Sequence, residues 1–389
     1  MKSKTSIKLF TRISFASAVI LCALMMTGCW DDAEINGRAF VLGFGADGGE
    51  EVYEFTFQLA IPVSGESDSS GSIEYTARTV GEVTPAAAVR RLEKDLGRQI
   101  NFEQLSLIVI GEELSQKGFV GLTDYFFRRA SVRRQSCIAV CEGNAADFFG
   151  FSATDKAISA DAASILQSYD SGGGISMDLF SLYKTLINRD EFYLPKMTAI
   201  ADETPDNSQD GGKRAILTLS GASAYGRDGN YRGDITEDEL ELLRLTCGSG
   251  TGGALAVYDG QGERFCCQVR QSDCSVKCGI SGDTPEFRLR LELVLVPLDA
   301  GGMDGGGYSP EAIRHIEQSA VQTVGARLEA LADRSQKSLG SSLLGFQDII
   351  RQRQPDWYRS HENNWEIIYP SSNIIITVNC TAAGGGITK

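Results

Sequence analysis

Two histidines, His315 and His361, supply all the imidazole in a chain of 389 residues. Neither falls in an HExxH motif or stands near a serine or cysteine nucleophile in a recognisable elbow, so zinc-protease and triad-hydrolase chemistry finds no residues to use. Beyond residue 28 no apolar run approaches the roughly 20 residues that a bilayer-spanning helix requires. The cysteines form no paired CxxC knuckles, and no segment repeats itself. Positive charge is in deficit: 37 Lys and Arg face 51 Asp and Glu, a formal net charge of −14. That balance argues against nucleic acid as a partner and against broad adhesion to anionic lipid, and it favours solubility. Carboxylates are abundant, yet no pair stands out as a general acid and base. No catalytic residue is assigned, and neither a metal nor a cofactor is expected.

What is present starts with a leader. Lys2, Lys4, Lys8 and Arg12 precede an almost uninterrupted apolar stretch over 13–26, followed by Thr27, Gly28 and Cys29. A charged start, an apolar centre of this length and small residues before a cut spell an export signal over 1–28. Met26, Thr27, Gly28 and Cys29 resemble a lipobox, with Met where Leu is usual, and predict cleavage before Cys29 and diacylglycerol on its thiol. An ordinary cleaved signal followed by an unrelated cysteine is the alternative. Two acyl chains suffice for stable anchoring where one is marginal. The expectation is therefore a body held outside a membrane by diacylglyceryl-Cys29. The leader carries four positive charges and no negative one, so its removal takes the net charge from −14 to −18.

At 42% apolar and 23% charged residues the chain is ordinary globular material. About 360 residues after the leader exceed one core and suggest more than one domain. Alternation predicts strands over 39–45 and 51–61, with Tyr53, Phe55, Phe57 and Leu59 between polar partners. The glycines at 43, 45 and 48 formally spell GxGxxG, but a strand follows them rather than a helix, so a hairpin is expected instead of a phosphate site. Thr84 and Pro85 open a helix to about residue 99, a buried strand spans 105–110, and 114–134 alternates helix and turn. Helical patterns recur over 160–167 and 177–188. The polar stretch 201–214 reads as a linker between domains at 29–200 and 215–389, the second divisible near 298–308. Beyond it lie a strand at 215–224, a helix at 234–245 and a run of strands over 254–296. A long helix opens at Ser309 and Pro310, with Ile313, Ile316, Val321, Val324, Leu328 and Leu331 on its apolar stripe, and a strand at 373–380 closes the chain. The fold class expected is α+β and multi-domain, with mixed or antiparallel sheets and packed helices.

Three clusters carry open readings. Cys266, Cys267, Cys274 and Cys278 favour a disulfide between hairpin strands, against buried thiols or four thiolates round zinc. Cys137 and Cys141 read as packing residues. Arg128, Arg129, Arg133 and Arg134 form a basic run that could face anionic headgroups, an acidic partner, or simply solvent. Glu112 and Glu113 suit a helix start, where negative charge complements the dipole.

Read onward from the lipobox, Cys29, Trp30, Asp31, Asp32, Ala33, Glu34, Ile35 and Asn36 resemble the opening of the Ger(x)C lipoproteins, the C subunits of spore nutrient germinant receptors. The likeness returns over 108–114, at Gly118 and over 124–129, then at 221–225 and along the helix at 236–245. It is clearest at Gly345, Phe346, Pro355, Asp356, Trp357, Tyr358, Asn364 and Trp365, ahead of the last strand and the glycines at 384–386. The stretch 337–344, where the family usually carries an acidic residue, departs from the pattern, and the cysteine cluster is foreign to it. The resemblance implies a non-enzymatic receptor subunit anchored to the outer face of the inner spore membrane, beside a polytopic A subunit and a transporter-like B subunit. Trp30, Asp31, Glu34 and Ile35 would then lie next to the membrane or a partner, or fill a first strand. An exported solute-binding or cell-wall-associated lipoprotein is the alternative.

Overall fold

The structure, a computed structural model, describes Ser17 and residues 37–49, 51–63, 72–151, 157–170, 176–201, 215–247, 253–258, 264–298 and 309–383. Strand β1 (Arg38–Asp47) and strand β2 (Tyr53–Val63) pair antiparallel, so the glycine-rich stretch belongs to a hairpin as expected. On β2 the apolar Phe55, Phe57 and Leu59 are fully buried, but so are Thr56 and Gln58. Both faces of β2 are covered, and Gln58 Oε1 satisfies itself by accepting from Ser159 N at 3.1 Å.

Ten strands form the larger sheet. The remaining members are β3 (Ser72–Glu82), β4 (Gln99–Asn101), β5 (Leu107–Gly111), β6 (Cys137–Cys141), β7 (Met177–Asp178), β8 (Phe192–Ala201), β9 (Ala215–Tyr225) and β10 (Tyr231–Thr236). The main path runs β10-β9-β8-β6-β5-β1-β2-β3, with β4 beside β1 and β7 beside β6. Its centre, β8-β6-β5-β1, is parallel, and both flanks are antiparallel. Parallel neighbours need crossovers, which the helices provide. Pro85–Leu96 precedes β5, Glu112–Lys117 and Val120–Phe127 join β5 to β6, and Ala145–Gly150, Ile158–Asp170 and Leu179–Asn188 lie between β6 and β8. Every residue of β5 and β6 is buried, as a strand covered on both faces must be. Ile108, Ile110, Ile138 and Val140 pack under Ala88, Leu92, Leu114 and Phe126 on one face. Leu107, Val109, Cys137 and Ala139 meet Phe148, Phe149, Ala162 and Leu166 on the other.

The smaller sheet runs β11 (Ala254–Tyr258), β12 (Arg264–Ser281), β13 (Thr284–Pro297), β14 (Asn373–Ala382), with the last pair parallel. Ser309 caps the Pro310–Arg334 helix, accepting from Ala312 N at 3.1 Å. Ile316, Val324, Leu328 and Leu331 of the expected stripe are buried, joined by Ala320, while Val321 stands at its margin. The hydrophobic cluster on the Leu107 face of the large sheet continues without a break into this second sheet.

Residues 202–214 lie outside the described ones. The strands on either side pair with each other up to Ala201 opposite Ala215, so the large sheet is continuous across the expected linker.

The cysteine cluster requires a correction. Among the described residues no disulfide joins any of the eight cysteines. Cys266, Cys267, Cys274 and Cys278 all lie on one strand, β12, and face Ala256, Leu255, Leu291 and Phe287 across its two neighbours. No cysteine stands opposite another, so the hairpin disulfide has no second half. Cys137 and Cys141 are buried packing residues on β6, as read. Burial pushes Cys274 up to about 11 and Cys380 to about 12, which keeps both protonated near neutrality.

Candidate functional site

Cys29, Trp30, Asp31, Glu34 and Ile35 lie outside the described residues. What the fold does place is the point where that segment joins the body. Arg38 opens β1 and pairs with Gln99 of β4. Because β1, β5 and β6 are parallel, with Gly43 level with Leu107 and Leu107 with Cys137, their amino ends share one edge of the sheet.

The basic run gathers at that edge. Ser136 hydroxyl donates to the carbonyls of Leu105 and Arg133, fixing the turn that leads into β6. Arg133 reaches Gln104 Oε1 at 3.0 Å. Arg129 lies over the rings of Phe102 and Tyr125, 5.2 and 5.1 Å from their centroids, and also donates to the Tyr125 hydroxyl. Arg128 pairs with Asp124 at 2.6 Å. Across the gap stands the Leu179–Asn188 helix, tied down by Phe180 N donating to Arg134 O at 3.0 Å. Tyr183 meets Phe127 with centroids 5.0 Å apart, and Lys184 lies over the Phe180 ring. Phe127, the four arginines, Phe180 and Tyr183 line an open cavity of about 390 Å³. Sequence reasoning found the arginines and missed Phe180 and Tyr183. The pair sits some fifty residues downstream in a stretch whose apolar spacing reads equally well as a buried stripe.

The opposite edge carries a different cluster. Lys196 of β8 extends between Glu112 Oε1 at 2.5 Å and Asp234 Oδ2 at 3.1 Å, and Ser223 hydroxyl holds the other oxygen of Asp234 at 2.8 Å. The Lys196 hydrogen bond holds the Glu112 carboxyl below its usual range. Glu112 also accepts from Gly143 N, so its role exceeds the helix-start complement read from sequence. Asp47 at the end of β1 is raised by burial but accepts from the N–H groups of Ala145 and Ala146, capping their helix. These carboxylates are engaged by a lysine, backbone amides and a serine hydroxyl, and the arrangement joins elements.

The segments at 345–346 and 355–365 form a joint. Phe346 stacks on Phe287 at 4.5 Å, and Trp365 is fully buried against Tyr369. Gln347 bridges Tyr358 hydroxyl at 2.8 Å and Arg189 O at 3.1 Å, and Arg351 pairs with Asp190. Glu191 accepts from Ser342 N, and burial pushes its carboxyl up to about 7. Thus the carboxylate that meets the 337–344 turn comes from the far side of the joint. His361 stacks on Trp357 with centroids 4.3 Å apart at the end of the Pro355–His361 helix, and His315 is exposed on the long helix.

Two family models match the chain in succession. Spore germination protein N-terminal domain covers residues 31–199, and Spore germination B3/GerAC-like C-terminal covers 220–386. The chain belongs to the Ger(x)C family of spore germination proteins. Among its relatives, spore germination protein B3 of Bacillus subtilis (strain 168) is 22% identical, over 92% of this chain and 94% of that one. Spore germination protein A3 of the same organism is 21% identical over 67% of each. The crystal structure of the GerBC protein superposes with a TM-score of 0.58 at 18% identity, covering 87% of this chain and 96% of that one, which shows a shared fold. In this Ger(x)C chain the residues that carried the resemblance at 345–365 are chiefly those of the joint. Gly221 is explained the same way: with φ of +131°, a Cβ there would stand 2.1 Å from Ile235 O.

Proposed function

We propose that this Ger(x)C chain is the C-type subunit of a spore nutrient germinant receptor, a non-enzymatic body that helps couple nutrient sensing to germination. The observation that carries the reading is the succession of both family models along the chain, with relatives named spore germination proteins B3 and A3. In this reading diacylglycerol on Cys29 holds the body on the outer face of the inner spore membrane, beside polytopic A and B subunits. No described helix is long and apolar enough to cross a membrane, and a lipid tether does not need one. Confinement at the surface raises the body's effective concentration beside its partners without any new contact. Trp30, Asp31, Glu34 and Ile35 follow the anchor directly and are assigned to the membrane-proximal or partner-facing segment.

The test is Cys29→Ala in spores. The expected result is a folded chain lost from the membrane fraction and nutrient germination impaired. Normal germination with a wholly released chain would remove the reading. Co-purification of the native chain with a polytopic partner from detergent-extracted membranes tests the receptor assignment separately.

A further inference from the structure

We propose that the cavity between the 126–134 turn and the Leu179–Asn188 helix binds anionic phospholipid headgroups, and so turns the amino-end edge of the large sheet toward the bilayer. Charge is the first argument. Arg128 has Asp124, but no carboxylate among the described residues pairs with Arg129, Arg133 or Arg134. A concentrated positive wall therefore stands on a chain whose net charge is −14. The apolar surface beside it is the second. Phe180, Tyr183 and Ile187 are 44%, 44% and 61% exposed at helical spacing, with Lys184 among them. Aromatic and aliphatic side chains on one helix face, flanked by cations, suit the boundary between headgroups and acyl chains. A soluble anion would leave that face bare.

Position is the third argument, and it rests on the proposed lipid at Cys29. Arg129 lies over Phe102, which directly follows β4, and β4 pairs with Arg38–Phe40 of β1. The tether thus joins the body close to the cavity. Nine residue steps separate Cys29 from Arg38, at most about 30 Å of chain, so this edge is the part of the body that the anchor keeps within reach of headgroups. An acidic protein segment would answer the arginines alone.

The test uses the mature chain carrying Cys29→Ala, so that no acyl group contributes, in flotation with vesicles. Binding is expected with phosphatidylglycerol in phosphatidylcholine and not with phosphatidylcholine alone, weakening as salt rises. Each basic residue near an anionic surface is worth about fivefold in partition, so Arg133→Gln with Arg134→Gln lowers it roughly 25-fold. Phe180→Ser with Ile187→Ser lowers it without changing charge. All four side chains are exposed, so an unchanged unfolding midpoint is the fold control. Equal binding to both vesicle types, or undiminished binding by the arginine variant, overturns the proposal. So does full displacement by inorganic phosphate, which marks a soluble-anion site, or vesicle indifference coupled with loss of a membrane protein partner in the arginine variant. The mass of the wild-type chain from membranes reports lipid on Cys29 independently. A missing lipid with intact vesicle preference removes the tether and leaves the cavity.

Discussion

Lys196 has a side chain only 12% exposed and two carboxylates to satisfy. Replacing it with Met leaves Glu112 and Asp234 facing each other without a cation, and urea unfolding at neutral pH should register a loss of about 2–3 kcal/mol. The pH dependence follows from the lowered Glu112 value. Its contribution is full above the usual 4.5 and disappears as pH falls through the lower folded value, so Lys196→Met should cost less in acid. Glu191 works in the opposite sense. With its folded carboxyl raised from 4.5 to about 7 by burial, the native state keeps a proton that the unfolded chain has lost. Stability should therefore decline as pH rises from about 4.5 to about 7, and Glu191→Gln should flatten that slope in unfolding measured across the window. Gly221→Ala forces a Cβ against Ile235 O and should cost about 2 kcal/mol or more by the same assay. Little of this was legible in the sequence. Glu112 looked like a helix-start charge because its partner is 84 residues away, and nothing local announces Lys196 as that partner.

The elements that sequence patterns located are those whose local signals agree. Thr84 and Thr236 cap their helices, and Thr236 completes a reciprocal box with Glu239, which also holds Arg334 of the long helix. Thr236→Ala should lower stability by about 1 kcal/mol for the cap itself, with a further loss if Glu239 swings away from Arg334; a double-mutant cycle with Glu239→Ala separates the two. Elements that escaped notice carry conflicting signals. β8 contains Pro195, which normally argues against a strand in the middle of a sheet, and a register shift follows at Lys196 and Met197. The short helix Ala145–Gly150 has no capping side chain of its own from Asn144; Asp47, almost a hundred residues earlier, caps it instead. The basic cavity shows the same limit. Four arginines within seven residues are visible in any reading, but the helix that completes the wall is delivered by the pairing of β7 with β6.

At the scale of the molecule, the expected class of mixed sheets with packed helices holds, and the parallel centre is what the pattern concealed. Two flanking hairpins and the short helices of the crossovers masked the alternation of strand and helix from β5 to β8. The large sheet also continues on both sides of 202–214, with Ala201 opposite Ala215, and one apolar cluster reaches from Leu107 to Ala382. Two family models divide the chain near this point, but a cut there would strip β8 of its neighbour β9. Fragments 37–201 and 215–383 made separately should unfold at lower denaturant and with reduced cooperativity than the intact chain, and mixing them should restore part of the loss. Two sharp, native-like transitions from the isolated fragments would show that each half is self-sufficient.

β14 adds a consequence in time. It pairs in parallel with β13 over ten positions, Glu286 with Asn373 through Leu295 with Ala382, yet among the described strands it comes last in chain order. Until it arrives, β13 offers a bare edge that any extended polypeptide could extend. A ribosome that stops short, or a protease that trims behind residue 372, would therefore yield a sticky intermediate rather than a shortened working protein.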